Sequence, residues 1–364
     1  MDLGEYAAAG LYDPASPEAE SRAELLTYLV EIGCTLEEMV AANARGRLFA
    51  LAGDRVIVPG RDQFSLSDIS TTTGAPLANV RAIWRALGYV DAADDELVAS
   101  LEEVEAVRVC TDMVALLGMP GVLGVCRVVA SSLSRVADAV SGAVRTQVPQ
   151  LELGASGSEA VTARTFAGIA TFVPRMGHSL DTLFRHHLEV ARMHWERSDS
   201  GDLVDSGGVR VGVGFADLSG FTGLTEGLSM ASLSQLLTGF EEVAEDVVRD
   251  RDGRVVKFIG DAVMYVTHDA LAAVQVAQGL IEAAQIRGLQ ARAGVAVGVV
   301  LALQGDYFGP VVNLAARLVA LAGAGEVFVT DEVVEQIGGV VQTDSLGARA
   351  IRGFSQEIAI ARLR

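Results

Sequence analysis

A short polar segment, residues 198–208 (SDSGDLVDSGG), divides the chain into two parts with different residue patterns. Small, acidic and glycine residues of this kind interrupt helices and strands, so the segment is expected to be a linker. Before it, apolar residues recur mostly at helical spacing, and after it short strand-like runs alternate with amphipathic stretches. A chain of 364 residues is long enough for two domains with separate cores. The pattern therefore predicts a helical domain over 1–197, a linker over 198–208 and a second domain over 209–364.

The second domain has the predicted order strand, helix, strand, strand, helix, strand. GRVVKFIG and DAVMYVT are two strands that meet at a tight Gly260-Asp261 turn, and an amphipathic helix lies on either side of them in the sequence. This order is that of a split βαβ (ferredoxin-like) sheet. The expected fold class is α+β, in which an all-α domain precedes an antiparallel sheet with helices on one face.

Two aspartates end strands of this predicted sheet, Asp217 in FADLSGFT and Asp261 in FIGDAVMY. In a split βαβ sheet the first strand lies beside the hairpin of the second and third, so both carboxylates are expected to meet at one edge. Two carboxylates, completed by substrate phosphates, commonly hold Mg²⁺, often as a pair of ions. For either residue alone the alternative is a turn aspartate with no ligand.

Two further segments offer groups for an anionic ligand. The turn after Asp217 leads into a helix, whose first backbone amides can bind phosphate. Four residues form this turn: Ser219, Gly220, Phe221 and Thr222. In GDYFGPVVNLAARL, Asn313 and Arg317 are four residues apart and share one helix face, which suits charge on phosphoryl oxygens. Alone, each segment would be an ordinary turn or surface helix.

Together, FADLSGFTGLTE, GRVVKFIGDAVMYV and GDYFGPVVNLAARL resemble the class III nucleotidyl cyclases, in particular the bacterial adenylate cyclases. The resemblance covers residues 209–364 and fills all six functional positions of the family pattern. It implies that ATP is converted to 3′,5′-cyclic AMP and pyrophosphate by in-line attack of the ribose 3′-hydroxyl on the α-phosphorus. It also implies two divalent metal ions, Mg²⁺ or Mn²⁺, as cofactors, bound by Asp217 and Asp261.

By the same resemblance, Asn313 would orient the ribose and Arg317 would stabilise the pentavalent α-phosphorus. Arg352, in IRGF, stands where relatives carry a basic residue for the terminal phosphates. In the family the metal aspartates come from one protomer, while the adenine pair, the asparagine and the arginine come from its partner. One chain that holds all six residues is therefore expected to form a homodimer with two active sites.

Lys257 is the only lysine among 28 basic residues. The resemblance assigns Lys257 and Asp306 to adenine, where a compact ammonium can donate to a ring nitrogen and the carboxylate can accept from the exocyclic amine. Guanine presents a carbonyl in place of that amine, so ATP is predicted over GTP. The alternative is that an arginine-rich composition has left one lysine by chance.

The helical domain resembles, less closely, the autoinhibitory domain that precedes the cyclase in some mycobacterial enzymes activated by mild acid. Four of the five histidines lie within 17 residues just before the second domain: His178, His186, His187 and His194. Histidine changes charge between about pH 5 and 8, so the hypothesis is that this domain inhibits catalysis until these residues are protonated. The alternative is that they are interface residues with no switching role.

A competing interpretation concerns residues 64–95, which have the pattern of a helix-turn-helix with a turn at Thr73-Gly74-Ala75. Its second helix offers only Arg81 and Arg85, in a chain of net charge −19. No nucleic-acid partner is therefore expected, and a DNA-binding regulator with a non-catalytic cyclase-like domain is the alternative. A diguanylate cyclase is disfavoured because its hairpin would read Gly-Gly-Asp/Glu-Glu-Phe.

The remaining sequence features predict a soluble, cytoplasmic protein. Cys34, Cys110 and Cys126 form no CxxC pair, which favours reduced thiols over a zinc site or a disulfide framework. The first residues lack the pattern of a signal peptide. The most apolar run, 113–126, is too short to span a bilayer and contains Pro120. This run could line a lipid-sized pocket, although core packing is its expected role.

Overall fold

The computed structural model describes residues 2–57, 63–148, 158–198, 208–221, 223 and 226–364. The chain forms two compact units, Met1–His186 and His187–Arg364. Most of the predicted linker lies outside the described residues, so the domain boundaries 1–197, 198–208 and 209–364 remain a prediction.

The first unit is built from α-helices, as the sequence predicts. Hydroxyl side chains at Thr35, Ser65 and Ser100 each form a capping box at a helix start. A 3₁₀ turn covers Leu48–Ala50. The helices are α1 (Leu3–Ala8), α2 (Ala19–Glu31), α3 (Leu36–Ala44), α4 (Leu51–Ile57), α5 (Leu66–Thr73), α6 (Leu77–Ala86), α7 (Leu101–Asp112), α8 (Val114–Gln147), α9 (Glu159–Ala170) and α10 (Val173–Ser198), the last of which continues into the second unit.

Helices α5 and α6 form the predicted helix-turn-helix, and Gly74 ends α5 in the left-handed conformation, with φ 67°. Arg81 and Arg85, the two basic residues of the second helix, both form ion pairs with Asp91. Their charges are offset within the motif itself, which makes it poorly suited to contact DNA phosphates.

Helix α8 extends well beyond the apolar run 113–126. Its backbone breaks at Gly118, and Pro120 lies at the start of the segment that follows, yet the helix as a whole has 34 residues. It is the one described helix that is long and apolar enough to cross a bilayer, by length and composition alone. The run 113–126 is too short to span a bilayer, but the helix that contains nearly all of it is not. Exposed apolar residues recur along it at helical spacing: Val125, Val129, Leu133, Val136 and Val140.

The second unit begins with the predicted order of elements and continues beyond it. The predicted part consists of β1 (Gly208–Leu218), α11 (Met230–Arg249), β2 (Arg254–Ile259), β3 (Ala262–Thr267), α12 (Ala270–Ile286) and β4 (Ala291–Leu303). The rest consists of β5 (Asp306–Phe308), α13 (Pro310–Leu321), β6 (Val327–Thr330), α14 (Asp331–Ile337), β7 (Thr343–Arg349) and β8 (Ile358–Leu363).

The eight strands form one sheet in the order β2-β3-β1-β4-β6-β8-β7, with β5 paired to β4. The split βαβ fold is thus present, but the sheet is mixed rather than antiparallel, because β4 and β6 are parallel. The chain between those two strands crosses over through α13, and such a crossover is what joins parallel strands. Helices also cover both faces rather than one: α11, α12 and α14 pack on one core, and α13 packs on the other.

Helix α13 packs closely on the sheet because Gly294 in β4 has no side chain. A Cβ atom at this position would lie 2.3 Å from the backbone nitrogen of Val319 and 2.6 Å from the carbonyl oxygen of Ala315. Ala315, Leu318 and Val319 are buried. The opposite face of α13, which carries Asn313 and Arg317, is therefore exposed to solvent.

Candidate active site

The two predicted carboxylates meet at one edge of the sheet. Asp217, near the end of β1, pairs with Ala262 of β3, and the backbone nitrogen of Leu218 donates to the carbonyl oxygen of Asp261 at 3.3 Å. Burial, and then the nearby charge of Asp217, raise the pKa of the Asp261 carboxyl above its ordinary value. Two acidic groups in a partly buried position favour the approach of a cation.

One cation of the chain already lies there. Arg292, which pairs with Asp217 across β1 and β4, donates to Oδ2 of Asp217 from Nε at 3.0 Å and from Nη2 at 2.7 Å. The two side chains are 32% and 20% exposed, so the ion pair is largely shielded from water. Arg292 is not among the site residues predicted from the sequence. The available signal was a single charged residue within the otherwise apolar run of β4.

The predicted phosphate-binding turn contains a polar atom without a partner. The hydroxyl of Ser219 is buried and forms no hydrogen bond with any part of the chain that the structure describes. Gly220 adopts the left-handed conformation, with φ 73°, and Phe221 packs against the core of the second unit. Thr222 lies outside the described residues. A buried hydroxyl without a partner is costly, so the turn suits an additional polar ligand.

The donor set at this edge fits a hard divalent cation that shares its coordination with a substrate. Among the described residues, no group of three or more His, Cys, Asp or Glu side chains could hold a metal ion. Mg²⁺ does not require such a group, because one or two carboxylates completed by phosphate oxygens and water are sufficient. Asp217 and Asp261 offer two carboxylates of this kind, and the hydroxyl of Ser219 lies in the turn that follows Asp217.

The predicted base-binding pair is also brought together. Lys257 in β2 forms an ion pair with Oδ2 of Asp306 in β5, although β2 and β5 are not neighbours in the sheet. The other oxygen of Asp306, Oδ1, accepts a hydrogen bond from the backbone nitrogen of Tyr307 at 2.8 Å. An ammonium donor and a carboxylate acceptor therefore lie side by side and are partly accessible to solvent.

The remaining predicted residues do not join either group within one chain. Asn313 and Arg317 lie on the exposed face of α13, turned away from the sheet. Arg352 is exposed in the segment between β7 and β8. The histidines lie on α10: His178, His186 and His187 are exposed, and the side chain of His194 is outside the described residues.

Comparisons with known proteins match both halves of the chain. Residues 5–191, just over half of the sequence, match the adenylate cyclase regulatory domain. Residues 208–359 match the adenylate and guanylate cyclase catalytic domain.

Two relatives from Mycobacterium tuberculosis span nearly the whole chain. The uncharacterized protein Rv2212 is 42% identical over 340 residues, which is 93% of this chain and 88% of the relative. The pH-sensitive adenylate cyclase MT1302 is 30% identical over 361 residues, which is 94% of this chain and 88% of the relative. Among solved structures, the adenylyl cyclase CyaB from P. aeruginosa has 27% identity and a TM-score of 0.40, and covers 43% of this chain and 93% of its own.

Replacing Arg292 by glutamine is expected to lower the free energy of unfolding by about 1–2 kcal/mol in the presence of a chelator. The variant leaves Asp217 and Asp261 as neighbouring like charges without a counter-ion, so added Mg²⁺ should restore part of the loss. Urea unfolding followed by circular dichroism measures the change.

Arg210→Gln is the matched control, because it breaks a more exposed ion pair with Glu332, in which the side chains are 36% and 50% exposed. That variant should lose less than about 0.5 kcal/mol and should not respond to Mg²⁺. Equal losses in both variants, with no effect of Mg²⁺ on either, would contradict the role given to Arg292.

Proposed function

The chain belongs to the class III nucleotidyl cyclases in which an adenylate cyclase regulatory domain precedes the catalytic domain, and on this premise we propose that it is an adenylate cyclase. The observation that carries the choice of ATP is the ion pair between Lys257 and Asp306. Lys257 offers a donor to an adenine ring nitrogen, and Asp306 offers an acceptor to the exocyclic amine. With guanine, Asp306 would face a carbonyl oxygen, and two acceptors would be left opposed.

Asp217 and Asp261 would hold two divalent cations, Mg²⁺ or Mn²⁺, which when bound lower the pKa of the ribose 3′-hydroxyl and offset the charge of the phosphates. Arg292 offsets the charge of Asp217 until the substrate arrives. Ser219 and the amides of the turn around Gly220 and Phe221 would donate to phosphate oxygens.

The reaction needs positioning rather than a covalent intermediate. Asn313 would hold the ribose so that its 3′-hydroxyl oxygen attacks the α-phosphorus in line, and pyrophosphate would leave. Arg317 would donate to the α-phosphoryl oxygens as their negative charge increases, and Arg352 would bind the terminal phosphates. Cyclic AMP is the expected product.

We infer that each active site needs two chains. Asn313 and Arg317 lie on the exposed face of α13 and form no hydrogen bond or ion pair with Asp217 or Asp261 in the part of the chain that the structure describes. A second chain would bring such a pair to the substrate that the aspartates bind. The elements that carry the site residues also expose large apolar side chains, which a second copy would cover. These residues are Ile259, Val299, Leu301, Leu303 and Phe308.

A direct assay tests the proposed activity: cyclic AMP formation from ATP with Mg²⁺ or Mn²⁺ by the full chain. Asp261→Ala should abolish product, because it removes half of the carboxylate pair. Lys257→Arg should lower kcat/KM for ATP by about a hundredfold, because the guanidinium displaces the base from its position. Absence of product from the wild type under every condition would overturn the activity, and near-normal activity of Lys257→Arg would favour the chance origin of the lysine.

Mixing two inactive variants tests the shared site. Asp261→Ala and Arg317→Ala should each be inactive alone, because every homodimer then lacks one component in both sites. In an equal mixture, about half of the dimers are heterodimers with one intact site, so about a quarter of wild-type activity should return. Cyclic AMP production by the mixture after subunit exchange measures it, and an inactive mixture of verified heterodimers would contradict a site built from two chains.

We further propose that the first unit inhibits the second and that pH controls this inhibition. The proposal is supported by the match to the adenylate cyclase regulatory domain and by the relative named a pH-sensitive adenylate cyclase. The histidines on α10 lie on the helix that continues from the first unit into the second. Histidine is the side chain that changes charge in the physiological pH range, so protonation on this helix would alter the inhibited state.

The pH dependence of cyclic AMP formation should therefore differ between the full chain and a fragment that begins at residue 208. Activity of the full chain should rise relative to the fragment between about pH 8 and pH 5.5. Replacing His178, His186 and His187 together by glutamine should remove this rise. His268→Gln, in the second unit, is the control and should leave it unchanged. Superimposable pH profiles of full chain and fragment would overturn the proposal.

A further inference from the structure

Strand β2 contains a β-bulge at Val256. Val255 and Lys257 pair with consecutive residues of β3, so Val256 has no partner in the ladder. In a regular strand, residues three apart lie on opposite faces, and one extra residue brings Arg254 and Lys257 to the same face. Their partners on β3 both belong to the core on the α13 side of the sheet: Val266 and Met264.

Arg254 uses this face to contact the segment that carries Asp306. Its guanidinium lies over the ring of Tyr307, 5.2 Å from the ring centroid, and its Nη2 atom is 3.5 Å from the carbonyl oxygen of Gly305. Tyr307 is only 8% exposed, because its ring packs into the core on the α13 side. Arg254 therefore contacts both sequence neighbours of Asp306, Gly305 and Tyr307.

Tyr307 in turn orients the carboxylate of Asp306. Its backbone N–H donates to Oδ1 of Asp306 at 2.8 Å, and this bond leaves Oδ2 directed at Lys257. The contacts therefore form a chain. Arg254 contacts the ring of Tyr307, the backbone amide of Tyr307 donates to Asp306, and Asp306 forms the ion pair with Lys257. β2 is the last strand at its end of the sheet and β5 pairs with β4, so the contacts of Arg254 and Lys257 join two strands that are not neighbours in the sheet.

We propose that Arg254 and Tyr307 are positioning residues that set the preference for the nucleotide base, an inference that rests on the adenine role proposed for Lys257 and Asp306. Arg254 acts through Tyr307 and Asp306, and it holds the acceptor oxygen where an exocyclic amine can reach it. A looser Asp306 could turn away from a guanine carbonyl, so the penalty against GTP would fall while phosphate binding stayed intact.

The test compares base preference in two ways on the full chain. One is the ratio of kcat/KM for ATP to that for GTP, and the other is the ratio of the dissociation constants of 3′-deoxyATP and 3′-deoxyGTP, which lack the attacking hydroxyl. Arg254→Met should lower both preferences for adenine by about tenfold, the scale of a partly shielded cation–π contact. Tyr307→Leu should do the same.

Conservative variants separate positioning from folding and from charge. Tyr307→Phe keeps the ring and should retain the wild-type preference within about twofold, and Arg254→Lys keeps the charge and should fall between wild type and Arg254→Met. The double variant Arg254→Met/Tyr307→Leu should lose no more preference than either single variant, because both act through one contact.

Any of three results would overturn the positioning role of Arg254 and Tyr307 while leaving the proposed activity standing. The first is an unchanged base preference in Arg254→Met, and the second is an equal loss of kcat/KM for ATP and GTP, which leaves the ratio at the wild-type value. The third is an additive loss of preference in the double variant. A wild-type protein that binds both 3′-deoxynucleotides without preference would instead overturn the adenine role of Lys257 and Asp306, and the inference with it. The binding ratio therefore separates failure of the positioning role from failure of the proposed activity.

Discussion

The antiparallel register of β1 between β3 and β4 is the constraint on which the rest of the second unit depends. It places Asp217 opposite Ala262 on one side and opposite Arg292 on the other. Alternate residues of β1 belong to different cores: Phe215 packs on the α13 side, whereas Ala216 packs on the side of α11 and α12. A slip of one residue would exchange these faces and carry Asp217 away from both partners, so hydrophobic burial fixes the carboxylate's position.

Much of this arrangement could be predicted because local sequence patterns determine the strands, turns and helices. The strand order follows from short apolar runs and turns, and Asp217 and Asp261 could be expected to meet once that order was known. The exposed face of α13 also follows from the spacing of Asn313 and Arg317 on a helix. The strands, turns and helix faces depend on neighbouring residues in the sequence, and a sequence pattern records them directly.

Other features depend on contacts between distant segments and were missed or wrongly expected. The ion pair between Arg292 and Asp217 joins residues 75 positions apart. The close packing of α13 on the second face depends on the absence of a side chain at Gly294. The parallel pairing of β4 and β6 likewise joins strands that are separated in the sequence by α13. The apolar run 113–126 was considered alone as too short to span a bilayer, whereas the helical segment after the break at Gly118 continues to Gln147.

Because of the bulge at Val256, the faces of β2 depend on the number of residues in the strand more than on the residue type at the bulge. Replacing Val256 by another apolar residue would leave the faces of β2 as they are. Inserting one residue in a strand with no second bulge would turn the ammonium of Lys257 toward the core of α11 and α12, where Phe258 and Val255 now pack. Among related chains, base preference should therefore tolerate apolar substitutions at Val256 far better than insertions or deletions in β2. Attempts to redesign that preference should preserve the residue count between Gly253 and Gly260.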